Sequence, residues 1–164
     1  IQRTAYSAPG SGTASYQGNY LGLINIDTML EPANVTGLVN INANFADPKL
    51  EGELIGRVVD VNGTMIALED LVFINSDIRA DGTFAGPVEI RNETGGVGTF
   101  SGAVAGSGSP YIGGNVSVGP DLFNGLEVGY TVAELDALVG SDRSRIQEYG
   151  IFVIEACGPL ATDC

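Results

Sequence analysis

Acid–base or nucleophilic chemistry near neutral pH needs a group that titrates there, and the commonest one is missing from this chain. Among 164 residues there is no histidine. That removes the usual general base and the usual transition-metal ligand. Serine or cysteine nucleophiles activated by histidine go with it. Paired carboxylates are the remaining route, and Asp+Glu number 20. Yet Glu51, Glu53 and Glu89 alternate with apolar positions, which puts them on a solvated face rather than in a dyad. The run GTFSGAVAGSGSPYIGG is rich in glycine but has no Lys-Ser or Lys-Thr and no helix after it, so it is not a phosphate loop. Asp60-Val61-Asn62-Gly63 and Asp81-Gly82 are fragments of a calcium loop that lack the full ligand set and the distal glutamate. The sequence predicts no catalytic residue, no metal site and no cofactor.

Three other sets of residues could carry function. Cys157 and Cys164 stand at the C-terminal end with six residues between them. They read as a disulfide that ties the tail back, which implies an oxidising compartment. The alternative is two unpaired thiols, since CGPLATDC has no metal-ligand spacing. Asn34, Asn62, Asn92 and Asn115 each open an Asn-x-Ser/Thr triplet; these are glycan acceptors in a eukaryotic secreted protein, or simply residues common in turns and strands. Tyr111, Phe123 and Tyr130 fall in or beside one long connection, where they form either a partner-binding patch or part of the core.

Seven Lys+Arg against the 20 acids leave a net charge of −13, and Lys49 is the only lysine. A surface that negative repels phosphate backbones and anionic lipids, so nucleic acid and peripheral membrane binding are not expected. It suits a salty external medium. No run approaches the ~20 apolar residues of a membrane helix. The opening IQRTAYSAPG has neither the charged start nor the apolar stretch of a leader and reads as a mature end left by cleavage.

The elements that must position any site are strands. Gly37, Val39, Ile41, Ala43 and Phe45 alternate with Asn40, Asn42 and Asn44, a period of two that sets one face against a core and the other in water. Ala46-Asp47-Pro48-Lys49 reverses the chain, and Leu50, Gly52 and Leu54 return it to about residue 61. Before this pair, TASYQGNYLGLINI places Tyr16, Gly18, Tyr20 and Gly22 on one face of a first strand over 13–26. After it, strands are predicted over 65–74, 83–90, 98–106, 111–119 and 150–156. Asn62-Gly63 supplies the positive φ of a tight hairpin, and further turns fall at 80–82, 92–96 and 107–110. The sum is an all-β, eight-stranded antiparallel meander β-barrel.

Two stretches fall outside that plan. Residues 1–12 form an arm that is either a frayed terminus or a strand added to a neighbour's sheet. The connection 119–149 is long for a compact domain. Within it Thr131-Val132-Ala133-Glu134 has the pattern of a capping box, followed by Leu135, Leu138 and Val139 at helical spacing and Gly140 as a stop. One short helix is predicted there, acting as a lid or binding loop, or as a plug on the barrel's mouth or wall. Residues 13–164 are thus read as one domain.

The order SYQG, GLVNINANFADPKLEGEL, LVFINSDIRADGTFAG, GTFSGAVAGSGSPYIGGNVSVG and YGIFVIEA resembles the eight-stranded barrel of transferrin-binding protein B-like surface proteins. The factor H-binding lipoproteins of pathogenic neisseriae share that barrel class. The resemblance lies in a Tyr-x-Gly first strand, Asn-Phe-Ala-Asp before a Gly-bearing return, Gly-Thr-Phe-x-Gly, and a Gly-containing final pair. It runs from Thr13 to Ala156, and the long connection is its main departure. It implies a bacterial, exported, non-enzymatic barrel that binds proteins or is displayed at the cell surface. Members are lipid-anchored through an N-terminal cysteine; this chain has none before Cys157, so a lipid anchor is not expected.

Two functional readings lead. One is a secreted or cell-surface barrel working through protein–protein contacts, in binding or adhesion. The other is a self-assembling subunit of an extracellular filament, coat or particle, joined through the 1–12 arm. A small-ligand carrier ranks behind both because large apolar residues occupy the inward positions, and an enzyme ranks last.

Overall fold

The computed structural model describes residues 12–26, 31–106, 108–119 and 146–157. They hold nine strands: β1 (Thr13–Ile26), β2 (Ala33–Asn44), β3 (Lys49–Val61), β4 (Thr64–Ala67), β5 (Leu71–Asp77), β6 (Thr83–Ile90), β7 (Gly96–Ala105), β8 (Tyr111–Val118) and β9 (Ile146–Ala156). Their order is β2-β1-β9-β8-β7-β6-β5-β3-β4, and a further β2–β3 pairing closes the ring. All the pairings are antiparallel. Eight strands therefore make a closed barrel, and the short β4 continues the wall beyond β5 along the same edge of β3.

Turn chemistry drives the meander. The Asn44 side-chain oxygen accepts the Ala46 and Asp47 amides at 3.0 and 3.3 Å, folding the chain between β2 and β3. Between β3 and β4, Asn62 (φ 53°) and Gly63 (φ 84°) are both left-handed, the conformation whose twist suits a two-residue hairpin. The Gly63 amide is held by Asp60 Oδ1 at 2.8 Å.

Two boundaries differ from the sequence reading. The single strand expected over 65–74 is two strands, β4 and β5, parted at Leu68-Glu69-Asp70. The cause is a bend in β3 at Gly56, whose φ of +58° is open to glycine at little cost. Leu50 and Leu54 point inward before the bend; Arg57, Val59 and Val61 do so after it. The extra residue shifts the alternation by one, as a bulge does. One half of β3 then pairs with β5 through Lys49–Leu54, and the other with β4 through Val58–Val61. The second difference is in β9, which begins at Ile146, so the last four residues of the expected 119–149 connection belong to the barrel wall. The helix expected near 131–140, and residues 1–11 of the arm, lie outside the described residues.

The interior is filled by side chains of alternating size. Tyr16, Tyr20, Phe73, Phe84, Phe100 and Phe152 are all buried. The Phe73 and Phe100 rings stack at 4.8 Å, Phe152 stacks on Phe73 at 6.3 Å, and Phe84 lies tilted against Phe100 at 5.9 Å. Each ring has room because a glycine faces it across the ladder: Phe84 opposite Gly102, Phe100 opposite Gly86, Phe152 opposite Gly114. A Cβ on Gly102 or Gly114 would lie 2.6 Å from the facing ring. An eight-stranded barrel is only wide enough for its own side chains, and ring-against-glycine pairing makes room for these phenylalanines.

Candidate functional site

The largest departure from ordinary surface chemistry is on the outside of the wall made by β8, β9 and β1. Leu21 and Leu23 on β1 are 62% and 51% exposed, and Tyr149, Ile151 and Val153 on β9 are 58%, 62% and 78% exposed. Register brings them together, with Leu21 opposite Ile151 and Leu23 opposite Tyr149. Asn115 and Ser117 of β8 flank Ile151 and Tyr149 on one side, and Asn34 and Thr36 of β2 flank Leu23 and Leu21 on the other. The result is a groove of about 810 Å³ with an apolar floor and a rim of uncharged amides and hydroxyls. A contiguous apolar patch with a polar rim is the surface signature of a contact site.

Charge is sorted to the other side of the barrel. Along β7, β8, β9, β1 and β2, only Glu155 is charged among the exposed positions. By contrast β3, β5 and β6 carry Lys49, Glu51, Glu53, Asp60, Asp77 and Glu89. A hydrogen-bonded ladder runs from β1 through β2 to that charged side. The Gln17 amide donates to Asn40 at 2.9 Å, the Asn40 amide donates to Glu53 at 3.0 Å, and Glu53 pairs with Arg91 at 2.5 Å. These groups satisfy one another and face water.

Beneath the apolar wall lies a buried charged cluster. Glu148 on β9 and Arg57 on β3 are both fully buried and form an ion pair through Glu148 Oε2. The other carboxylate oxygen accepts the Tyr20 hydroxyl at 2.8 Å, and Arg57 also donates to the Glu69 carbonyl at 2.7 Å. Burial first, and the Glu148 carboxylate second, push the Tyr20 phenol well above its ordinary pKa, with Arg57 opposing. Tyr20 therefore stays protonated and serves as a donor. With both Glu148 oxygens engaged, the cluster ties β9 to β1 and β3 from within.

Of the residues singled out from sequence, Tyr111 is 47% exposed at the start of β8. It shares the outer face of the wall, opposite Glu155 and beyond Val153, and stands outside the groove. Phe123, Tyr130 and Cys164 lie outside the described residues. Cys157 directly follows β9, its amide donating to the Ser15 carbonyl at 2.8 Å. Asn34, Asn62, Asn92 and Asn115 are all exposed, and the Asn115 side-chain oxygen accepts the Ser101 hydroxyl at 2.6 Å. Among the described residues no cluster of three or more Cys, Asp or Glu could hold a metal ion. No described helix is long and apolar enough to cross a membrane.

The five wall residues are absent from the sequence-derived candidates, although a signal for them exists. YLGLI in β1 and GIFVIE in β9 are apolar at both parities. A sheet with one wet face calls for alternation, so a two-sided apolar run marks an outer face that is itself a contact.

Neither a protein-family model nor a curated protein matches this sequence. Solved structures do match in shape. Intact Ap-TbpB, with its N and C lobes, superposes with a TM-score of 0.56 at 14% identity, covering 94% of this chain and 28% of that one. The isotype 1 transferrin binding protein B from serogroup B Neisseria meningitidis gives 0.52 at 14% identity, covering 94% and 26%. This chain thus spans about a quarter of the length of either. In fold, it is similar to the eight-stranded barrels within the lobes of transferrin binding protein B.

Proposed function

We propose that this chain is an exported bacterial surface or extracellular β-barrel module, non-enzymatic, that acts through protein–protein contacts made by the outer wall of β8, β9 and β1. The observation that carries the reading is the register-matched set Leu21, Leu23, Tyr149, Ile151 and Val153, held out of the core on a wall whose one exposed charge is Glu155. Interface cores are depleted of charge and enriched in aromatic and aliphatic side chains, and this wall has that composition. The likeness to transferrin binding protein B supports a binding barrel at a cell surface. At 14% identity it carries no ligand across, so the partner is sought on this chain's own chemistry.

The same reading pairs Cys157 with Cys164 in an oxidising compartment. In its support, no described cysteine is a free thiol. Non-reducing peptide mapping should recover the two in one cross-linked fragment, and alkylation of both without reduction would remove the pairing.

Assembly through the 1–12 arm ranks second. A closed barrel offers an incoming strand little edge, and among the described strands only the four-residue β4 has a single partner.

The test is site-specific photocrosslinking on intact producing cells, with a benzophenone amino acid in place of Tyr149 on the wall or Asn75 on the charged side. Protein adducts should form from position 149 and not from 75. Adducts from 75 alone, or from neither, would move the contact off this wall.

A further inference from the structure

We infer that the partner seated on this wall is a second copy of the same chain, in a two-fold dimer packed β9 against β9. The inference rests on the contact-wall reading above and names its occupant.

Charge is the first argument. Each copy carries a net charge of −13, so most approaches of two copies bring carboxylates together. The exposed face of β7, β8, β9, β1 and β2, with only Glu155 charged, is the described surface where they can meet without that penalty. A foreign partner recruited by electrostatic complementarity would be basic and would dock on β3, β5 and β6, where the acids are. An uncharged wall offers no such steering. It matches homodimer interfaces, which are the more apolar class.

Shape is the second argument. A two-fold interface uses the same patch on both subunits, so the patch must complement itself. Ile151 is the middle of the outward run Tyr149, Ile151, Val153. With the axis at Ile151 and the two β9 strands antiparallel, the broad Tyr149 ring of each copy meets the smaller Val153 of the other. Leu21 and Leu23 widen the contact from β1, and the Asn34, Thr36, Asn115 and Ser117 rim closes it with neutral hydrogen-bonding groups.

The experiment is sedimentation equilibrium on the full chain at low and high salt, for the parent, Ile151→Lys, Val153→Lys and Asn75→Lys. All three substitutions add one positive charge to exposed positions. The parent should approach twice its 16.9 kDa mass, more completely at high salt, where repulsion between the acidic bodies is screened. Ile151→Lys and Val153→Lys should each weaken the dimer at least roughly tenfold, as burial of an unpaired charge requires, while Asn75→Lys leaves it intact. Circular dichroism confirms that each variant is folded, and Val153, the more exposed site, serves if Ile151→Lys does not fold. A parent that stays monomeric at every concentration and salt overturns the dimer. So does a dimer broken by Asn75→Lys and untouched by the wall variants. The position-149 crosslinks separate the two readings: adducts of twice the chain mass support both, adducts with other proteins alone keep the wall and remove the second copy, and no adducts remove both.

Discussion

The Tyr20 hydroxyl donates to Glu148 Oε1 at 2.8 Å inside the barrel, while the Tyr20 ring lies across Gly150, two residues further along the strand that carries Glu148. One aromatic side chain thus satisfies a buried carboxylate with its polar tip and fills a glycine gap with its body. The seam between β1 and β9, whose outer face is the apolar wall, is fixed from within by this residue.

Breaking the buried ion pair from one side should be costly. Glu148→Gln removes the carboxylate charge that pairs with Arg57 inside the barrel, and the expected loss is about 3–5 kcal/mol of unfolding free energy. Replacing both with apolar residues, Arg57→Met with Glu148→Leu, should recover most of it. Urea unfolding of the three proteins checks the order; a Glu148→Gln variant as stable as the parent would contradict the pairing.

Gly150→Ala places a methyl in the Tyr20 ring and should cost about 1–3 kcal/mol, as overpacking does. In a Tyr20→Leu background the same change should cost far less, because the ring it strikes is gone. A double-mutant cycle by thermal unfolding gives the coupling, and strictly additive effects would show that the contact does not matter.

At the β3–β4 hairpin, Gly63 has a φ of +84°. Gly63→Ala should lower stability by about 1 kcal/mol through backbone strain alone, since a Cβ there meets no neighbouring atom. The midpoint in urea should fall while its slope stays constant.

The Asp81 carboxyl accepts the Thr83 hydroxyl at 2.7 Å and the Thr83 amide at 3.0 Å. Those bonds, the hydroxyl's first, hold its pKa below the usual aspartate value. A depressed carboxylate pKa means that the folded state favours the charged form. The stability it contributes is full above the unfolded-state pKa and is lost as pH falls through the folded one. Thr83→Val removes the larger cause, and a carbon-detected NMR titration should show Asp81 moving up toward its ordinary value. An unchanged midpoint would sink the assignment.

Much of the barrel is legible in the residues. Period-two alternation in β2 and turn residues such as Asn62-Gly63 locate strands directly, because both act over a few positions. What hides is what depends on distant partners. IALEDLVF reads as one strand, and splits only because Gly56 bends β3 and gives its halves different neighbours. Arg57 falls on the wrong parity for the core until that bend is known, so its pairing with Glu148, 91 residues away, has no local signature. Glu148 itself shares parity with Phe152 and Ile154 and is readable as inward once β9 is started at Ile146. The unbroken apolar run in β9 marks the wall as well, whereas the aromatic residues Tyr111, Phe123 and Tyr130 point to the connection.

The described chain enters and leaves the barrel side by side. Gly12 is hydrogen-bonded to Phe45, Tyr16 pairs with Ala156, and Cys157 is bonded to Ser15, all at one rim. A ring that closes on itself and opens at a single doorway can be spliced into a loop of a larger host, or permuted by joining its ends and cutting at a hairpin, with no strand displaced. The architecture is portable, and the uncharged wall stands along its flank, where such a splice leaves it uncovered.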